Sequence, residues 1–363
     1  MNETHHWRFD PLDTWFFREA RGFETSGHNE LSSLFPPPAR TVVGAIRTLI
    51  GEQHGVDWSR FREAEEYAGL RALIGDSDSL GQLQLRGPYP LWNNERLYPV
   101  PLHLLGKEDA YRFLEPGDAV TCDLGRVRLP RIRHDDTEPL RGAKPFEDAW
   151  LTHDDLQRVL TGEPPQQVIQ SRDLYDEEPR LGIARNHQRR TAQEGLLYQT
   201  RHLRPREGLA IGAETRGLSA EQCPAPGVIR FGGEGRPSAL SLNQRPPAPL
   251  VTPKTEGQRL LLMLLTHADF GQTSTGWLPP GFTPSEQGEQ DSPRVWRGVI
   301  QGVRLTIECA VIGKAVREGG WDLARQRPRP VRSLSAALPS RTATSSRPEL
   351  PISASSAPGA TSP

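Results

Sequence analysis

The sequence predicts an α+β protein of two domains, and three observations lead to this class. Short strand-like segments with alternating apolar residues outnumber the helical patterns. The order strand, helix, paired strands, helix, strand occurs twice along the chain, which is the order of a ferredoxin-like domain. From residue 333 onward the chain has no aromatic residue and is rich in Ser, Ala, Pro and Thr. We therefore predict ferredoxin-like domains at 1–200 and 201–332, inserted residues at about 106–148, and a disordered tail at 333–363.

Charge and composition exclude several classes of protein. The formal net charge is −1, so no global basic field attracts nucleic acid, and a polyanion site has to be a local patch. Three well-separated cysteines give neither a disulfide framework nor a zinc knuckle. No apolar run approaches the roughly 20 residues of a membrane helix, and the polar N-terminus lacks the apolar core of a signal peptide. These features predict a soluble, cytoplasmic protein with no membrane partner.

The elements of the first domain follow from local patterns. Aromatic residues at 7–20 predict a strand in the second half of that segment. Apolar residues at helical spacing after Thr41, the predicted N-cap, indicate an amphipathic helix that follows three prolines. A hairpin is predicted to turn at Asn93 and Asn94, since asparagine tolerates positive φ. A short helix is predicted between its cap, Thr152, and Gly162.

The second half of the chain is predicted to consist mainly of strands. A strand ending near Ala184 and another around Tyr198 enclose a basic loop. Residues 227–242 form a strand, a glycine loop and another strand. The apolar run at 256–268 indicates a buried helix, and residues 295–313 are again rich in strand-forming residues.

The glycine loop "RFGGEGR" at 230–236 has three conceivable roles. Its spacing matches neither a P-loop nor a dinucleotide fingerprint, because Arg236 and Pro237 follow the last glycine. This disfavours nucleotide binding. Two hypotheses stay open: a loop whose backbone N–H groups face an RNA phosphate, and a plain hairpin turn, in which glycine is the ordinary residue.

The basic loop is a second candidate site. Between residues 181 and 204, five arginines stand against a single acid, Glu194, and Asn186, His187 and Gln188 add neutral hydrogen-bonding groups. This mixture suits a single-stranded nucleic acid, because arginine contacts phosphates while amides and imidazole contact bases and the 2′-hydroxyl. A solvated loop is an equally good interpretation. His187 is also a candidate general base, although no orienting partner is visible in the sequence. No group of His, Asp or Glu has the spacing of metal ligands.

Several blocks of the sequence, taken together and in order, resemble one protein family. They include "FPPPARTVVGAIR" at 35–47, "RTAQEGLLY" at 190–198, the glycine loop, and "GGWDLARQRPRP" at 319–330. These blocks resemble the third subunit of the Cmr (type III-B) CRISPR effector complex, a family of the RAMP superfamily (repeat-associated mysterious proteins). The first two blocks are the specific ones. From Val331 the chain departs from the family's pattern, which puts the closing strand of the second domain in question.

The resemblance implies two RAMP domains of ferredoxin-like fold and a non-catalytic role in antiviral defence. The subunit would hold the repeat-derived 5′ tag of the guide RNA, beside the large signalling subunit and the first backbone subunit. It implies no catalytic residue, no metal ion and no cofactor. The alternative function is a RAMP endoribonuclease that processes precursor guide RNA with His187 as its base. The residues expected to bind RNA are Arg40, Arg47, Arg185, Asn186, His187, Arg189, Arg190, Arg230, Gly232, Gly233, Gly235 and Arg236.

Overall fold

A computed structural model describes most of the chain. The described residues are 3–20, 30–108, 110–123, 125–134, 140–186, 191–249, 259–271, 277–285, 292–322, 324–335 and 340–345. Within them the chain has a mixed α+β fold in which strands predominate. No helix in this part of the chain is long and apolar enough to cross a membrane.

The α-helices of the described residues all lie in the first half of the chain: α1 (Ala39–Gln53), α2 (Ala68–Ile74), α3 (His153–Leu160) and α4 (Ser171–Leu174). The strands are, in chain order, β1 (His5–Pro11), β2 (Glu30–Leu31), β3 (Gln84–Trp92), β4 (Glu95–Arg96), β5 (Tyr98–Pro99), β6 (Leu104–Lys107), β7 (Ala110–Cys122), β8 (Gly125–Ile132), β9 (Lys144–Pro145), β10 (Ala149–Leu151), β11 (Ile169–Gln170), β12 (Tyr175–Asn186), β13 (Thr191–Pro205), β14 (Leu209–Arg216), β15 (Gly227–Arg230), β16 (Pro237–Leu242), β17 (Arg259–Met263), β18 (Thr283–Pro284), β19 (Trp296–Ile300), β20 (Val303–Val311), β21 (Val316–Glu318), β22 (Trp321–Asp322), β23 (Arg327–Pro328), β24 (Arg332–Leu334) and β25 (Ser340–Ser345).

A central antiparallel sheet has the strand order β15-β16-β1-β14-β3-β4. Side chains alternate between the two faces of a strand, and in β1 the buried His5, Trp7 and Phe9 alternate with half-buried residues. Trp7 and Phe9 share one hydrophobic core with the apolar face of α1. That face consists of Val42, Val43, Ala45, Ile46, Leu49 and Ile50. The amphipathic pattern of the helix therefore covers one face of the sheet.

Several locally encoded elements are confirmed. The helix after the prolines is α1, although its N-cap is Pro38, three residues before the predicted cap Thr41. The hairpin turns at Asn93 and Asn94, whose φ angles are 52° and 67°. The side chain of Thr152 caps α3 by accepting a hydrogen bond from the backbone N–H of Asp155.

The N-terminal strand lies earlier than predicted. β1 ends at Pro11, and the second half of the aromatic segment, which was expected to be the strand, makes only isolated bridges. Trp15 pairs with Leu203, and Phe16 pairs with Gly232. The aromatic residues of this segment are therefore buried, but they do not form a strand.

The predicted insertion at 106–148 belongs to a second, smaller sheet of order β8-β7-β6-β9. Beside it, β5, β10 and α3 bury a separate core around Tyr98, Leu104 and Leu151. Residues near the insertion thus have a core of their own.

The predicted division of the chain at residue 200 falls within a strand of the structure. That position lies inside β13, and the strands that follow, β14 and β16, flank β1 in the central sheet. A separate sheet of order β17-β25-β20-β19-β18 is formed by strands that all follow Leu242. A boundary placed within a continuous hairpin could not separate two cores.

The buried helix predicted at 256–268 is also wrong for the described residues. Residues 259–263 form β17, and no α-helix follows Leu174 in the part of the chain that the structure describes. Leu260 and Leu262 pack in a core with Leu305 and Ile307. A short apolar run is compatible with a buried helix and with a buried strand, so the secondary structure depends on which residues pack against it.

The first part of the tail that is predicted to be disordered contains strands in the structure. Residues 332–334 form β24, and residues 340–345 form β25, which lies between β17 and β20. β25 gains backbone hydrogen bonds on both edges, so its Ser- and Thr-rich composition does not prevent order. The sheet of the second half therefore has a closing strand. Residues 346–363 lie outside the described residues.

Candidate nucleic-acid interface

The basic loop is carried by the longest hairpin of the molecule's described part. β12 and β13 pair from Tyr175 and Pro205 at the base to Asn186 and Thr191 near the tip. The base joins the core through Leu203, whereas Leu181 is 73% exposed and has no core against it. The part of β12 around Leu181 and Ile183, which are 73% and 55% exposed, therefore packs against no core. Arg185 and Asn186 end β12, and the candidates His187, Arg189 and Arg190 lie outside the described residues.

The glycine loop is a tight connection between β15 and β16 with a left-handed backbone. Gly232, Glu234 and Gly235 have φ angles of 94°, 54° and 65°. The N–H of Phe231 donates to the carbonyl of Arg236 at 2.7 Å, and the N–H of Gly233 donates to the carbonyl of Phe16 at 2.7 Å.

The three glycines of this loop serve different purposes. A Cβ on Gly232 would lie 2.5 Å from the carbonyl oxygen of Phe16, and one on Gly233 would lie 2.8 Å from the ring of Phe16. A Cβ on Gly235 meets nothing within 4 Å. Gly232 and Gly233 are therefore needed for packing against the protein itself, and Gly235 is the glycine with open space beside it.

A buried histidine joins the hairpin to the glycine loop. His202 of β13 is fully buried and stacks on Phe16 with ring centroids 4.9 Å apart. Its Nε2 lies 3.0 Å from Glu234 Oε2, and its Nδ1 lies 3.0 Å from Thr14 Oγ1. Burial and the nearby Arg180 lower the pKa of His202, against the opposite effect of Glu234. The ring is therefore neutral: Nε2–H donates to the carboxylate, and Nδ1 accepts from the Thr14 hydroxyl.

Charged pairs surround this junction. Arg236 Nη1 donates to Asp13 Oδ2 at 2.9 Å, and Arg180 and Arg204 approach the same carboxylate at 3.9 and 3.7 Å. A hydrogen bond from the backbone of Thr14, followed by the one from Arg236, lowers the pKa of Asp13. Arg236, a predicted RNA contact, is thus partly neutralised by an acid of the same molecule.

The positive charge of the hairpin is smaller than its sequence suggests. Arg201 pairs with Glu30 and Glu177, and Arg204 donates to Glu178. These acids lie outside the 181–204 window, so counting charges along the chain could not include them. Arg201 and Arg204 therefore add little net charge to the base of the hairpin.

Arg47 is not available to a partner. Its Nε and Nη2 donate to the carbonyls of Ile74 and Ser79, and its Nη1 donates to the carbonyl of Asp76 at 2.8 Å. Burial lowers the pKa of Arg47 to about 10. The expectation that Arg47 is free to meet RNA or a neighbouring subunit is therefore wrong, because its guanidinium holds the 74–79 loop.

The last two candidates are exposed. Arg40 lies at the start of α1, and partial desolvation and the nearby guanidinium of Arg332 lower its pKa. Arg230 ends the edge strand β15 immediately before the glycine loop, and it makes no ion pair with the described residues. Arg230 therefore adds a solvent-accessible charge next to the loop.

Sequence reasoning missed the residues that hold this site together: Asp13, Thr14, Glu178, Arg180, His202 and Glu234. The signal for some of them was present in the hairpin itself, since the acids of "YDEEP" face the arginines of "TRHLRP" once the strands pair. Within the described part of the chain, no group of three or more His, Cys, Asp and Glu side chains could hold a metal ion.

Comparison with known proteins identifies the class and the family. Residues 7–342 match the model of a family of CRISPR-associated proteins. Because the match spans nearly the whole chain, the protein belongs to this family, described as "CRISPR-associated protein (Cas_Cmr3)", and is a subunit of a type III CRISPR effector complex. No curated protein matches the chain in sequence.

Distant similarity to solved structures is also found. A chain of a type III-B Cmr-beta complex bound to cognate target RNA is 14% identical, with a TM-score of 0.49 over 93% of this chain and 86% of that one. The same complex with target RNA and AMPPnP gives 14% identity and a TM-score of 0.46 over the same shares. A Csm1-Csm4 cassette in complex with cA4 gives 14% identity and 0.35 over 97% and 100%.

Proposed function

We propose that this protein is the non-catalytic subunit that holds the repeat-derived 5′ tag of the guide RNA in a type III-B Cmr complex. In this role it links the large signalling subunit to the backbone subunits. One observation carries the proposal: the two segments selected as RNA-binding from sequence, the basic hairpin and the glycine loop, are joined by the bond between His202 and Glu234. Family membership supports guide RNA and other Cmr subunits as the partners.

The geometry suits a single strand of RNA. Leu181 and Ile183 in the outer part of β12 are 73% and 55% exposed, and Gly235 and Arg230 are open to solvent in and beside the glycine loop. A groove that combines guanidinium groups with an accessible backbone contacts phosphates without reading a base sequence. We infer that the RNA backbone lies along the hairpin and passes the glycine loop on its Gly235 side.

The fold assignment belongs to the same proposal. We assign the central sheet to a ferredoxin-like RAMP domain, on the order of its long strands and on α1 between β1 and β3. The second crossover, at 217–236, contains a 3₁₀ turn (Ala220–Gln222) and β15 in place of an α-helix. Under this assignment, the glycine loop belongs to the crossover that contains the second helix in a ferredoxin-like domain.

The alternative is a RAMP endoribonuclease. Thr14, His202 and Glu234 form a hydroxyl, imidazole and carboxylate series, but Thr14 and His202 are 0% exposed and cannot reach a phosphodiester. Their arrangement supports a positioning role. His187, the base named for this alternative, lies outside the described residues.

Two measurements on the full chain test the proposal. The first is the affinity for guide-length RNA with and without the repeat-derived tag, for the wild type and for a variant with Arg185, Arg189 and Arg190 replaced by Ala. The triple variant should bind tagged RNA more weakly, and each lost phosphate contact should reduce the log–log salt slope by about 0.7. Arg206→Ala is the control, because Arg206 pairs with Asp176 at 2.9 Å near the base of the hairpin.

The second measurement is incubation of the protein with precursor RNA, with and without divalent metal ions. No specific cleavage is expected.

The outcomes that would contradict the proposal differ between the two measurements. An unchanged affinity and salt slope in the triple variant would assign the tip to solvent or to a protein partner. Specific cleavage that disappears in His187→Ala would replace the proposed function by the endoribonuclease.

A further inference from the structure

The "GGWDLARQRPRP" block at 319–330 has no part in the site described above, yet several ion pairs anchor its described residues. Asp322 is buried and pairs with Arg325 and Arg329, both at 3.2 Å. Arg325 also makes a two-point contact with Asp78, at 2.8 and 2.7 Å. These bonds attach the short hairpin of β22 and β23 to the 74–79 loop, whose carbonyls also accept hydrogen bonds from Arg47.

The same hairpin leaves a large aromatic side chain in solvent. Trp321 is 53% exposed, and it is paired in the ladder with Pro328, which is also exposed. Val331, 45% exposed, follows nearby. A rigid segment that presents tryptophan to water is typical of a contact surface, because burying an aromatic ring on binding is strongly favourable and little side-chain entropy is lost.

The segment that carries Trp321 also carries two exposed arginines, Arg317 on β21 and Arg327 on β23, and these favour a nucleic acid as the ligand. Asp322 already pairs with two arginines, whereas the exposed Arg317 and Arg327 have no ion pair with any residue that the structure describes. Aromatic rings that stack on bases, next to guanidinium groups that contact phosphates, are the usual components of a sequence-tolerant single-strand site.

The position of the hairpin connects it to the first interface. A Cβ on Gly319 would lie 2.8 Å from the Cβ of Ala20, so the backbone of Gly319 lies close to the Ala20 side chain. Phe16, four residues before Ala20, bonds to the glycine loop through its carbonyl. Four residues span at most about 14 Å, so one extended RNA strand of a few nucleotides can reach both surfaces.

We propose that Trp321 is a stacking platform for an unpaired base of the RNA strand that passes the glycine loop, with Arg317 and Arg327 contacting its phosphates. This proposal rests on the proposed function, since it takes the same RNA as the ligand. It adds a base contact to an interface that otherwise offers mainly phosphate contacts.

The test is a cycle of protein and RNA changes, measured by fluorescence anisotropy with labelled guide RNA. Trp321→Ala should weaken binding by roughly 5- to 100-fold, and Trp321→Phe should keep most of the affinity. An abasic nucleotide at the stacked position should weaken binding to the wild type but add nothing to the loss in Trp321→Ala. Val299→Ala, which truncates a 54% exposed side chain on β19, is the control and should bind normally.

The outcomes separate this proposal from the proposed function. If Trp321→Ala binds RNA normally while the variant with Arg185, Arg189 and Arg190 replaced by Ala does not, the stacking platform is wrong and the proposed function stands. If Trp321→Ala loses other Cmr subunits on purification but keeps its RNA affinity, the surface is a protein contact and the proposal is overturned. If the wild type binds no guide RNA, both are wrong. An unchanged thermal midpoint in Trp321→Ala shows that the folded protein is being compared.

Discussion

His202 Nε2 lies 3.0 Å from Glu234 Oε2, and this bond joins the long hairpin to the glycine loop. The contact is between a fully buried ring and a carboxylate that is 32% exposed. The buried partner has no access to water, so it depends on Glu234 and Thr14 for its hydrogen bonds. The alignment of the two segments that we propose to bind RNA therefore depends on these two hydrogen bonds.

Replacing Glu234 by Ala should lower the free energy of unfolding by about 1–3 kcal/mol, because a buried donor on His202 loses its acceptor. RNA affinity should fall as well, since the glycine loop is no longer held to the hairpin. Denaturant unfolding and anisotropy measure the two effects. Glu221→Ala, an exposed acid in the same crossover, is the control. A fall in stability with normal RNA affinity would show that the junction is structural only.

Acid should destabilise the protein before its ordinary carboxyl groups titrate. Burial lowers the pKa of His103 to about 4, and burial also lowers the pKa values of His6, His202 and His267. The unfolded chain then binds more protons than the folded one below about pH 6.5, so stability falls as the pH drops from about 6.5 to 4. His103 alone accounts for about 3 kcal/mol over this window.

Urea unfolding at several pH values between 4 and 7 tests this, with His103→Gln as the comparison. The variant should show a shallower loss of stability than the wild type. The raised pKa values of Asp148 and Glu318 act in the opposite sense and are present in both proteins. Equal slopes in the two proteins would contradict the assignment to His103.

Arg47 should matter for stability and not for RNA. Three of its N–H groups donate to backbone carbonyls of the 74–79 loop, and bonds from charged donors contribute about 1.5–3 kcal/mol each. Since the cost of desolvating the guanidinium offsets part of this gain, Arg47→Ala should lower the free energy of unfolding by about 3 kcal/mol. Arg47→Lys should recover little, because an ammonium group cannot reproduce the planar fork.

Arg40→Ala provides the matched control on the same helix and should change stability by less than about 0.5 kcal/mol. The folded fraction of Arg47→Ala should bind RNA like the wild type. Weaker binding at full folding would return Arg47 to the RNA interface.

What the sequence could predict was local. The apolar stripe of α1, the Asn93–Asn94 turn and the Thr152 cap each depend on residues within a few positions, so a single sequence encodes them. β25 shows the opposite case, because its strand identity comes from the neighbours β17 and β20 and not from its own composition.

The candidate site divides in the same way. The glycine loop and the arginines of the hairpin are visible as motifs, and the family resemblance was carried by such blocks. The fate of Arg47 and the bond between His202 and Glu234 depend on which loops meet in space. The spacing of residues along the chain does not predict that the guanidinium of Arg47 donates its hydrogen bonds to carbonyls 27 to 32 residues away.

Substitutions in the glycine loop should separate effects on stability from effects on RNA affinity. Gly232→Ala places a Cβ against the Phe16 carbonyl at a φ of 94°, so it should lower the free energy of unfolding by about 2–4 kcal/mol. Gly235 has the left-handed φ of 65° but open space around it. Gly235→Ala should therefore lower stability by only about 1–2 kcal/mol, and Gly235→Asn by less, since asparagine tolerates this conformation.

Gly235→Asn is consequently the informative variant, because it adds bulk on the open side of the loop while the fold is kept. We expect a thermal midpoint close to that of the wild type together with weaker binding of tagged guide RNA. The physical reason is that an RNA backbone that passes this side of the loop approaches where only a hydrogen atom now stands. Normal affinity in Gly235→Asn, with the loss of stability confined to Gly232→Ala, would make the loop a turn whose glycines serve the protein's own packing.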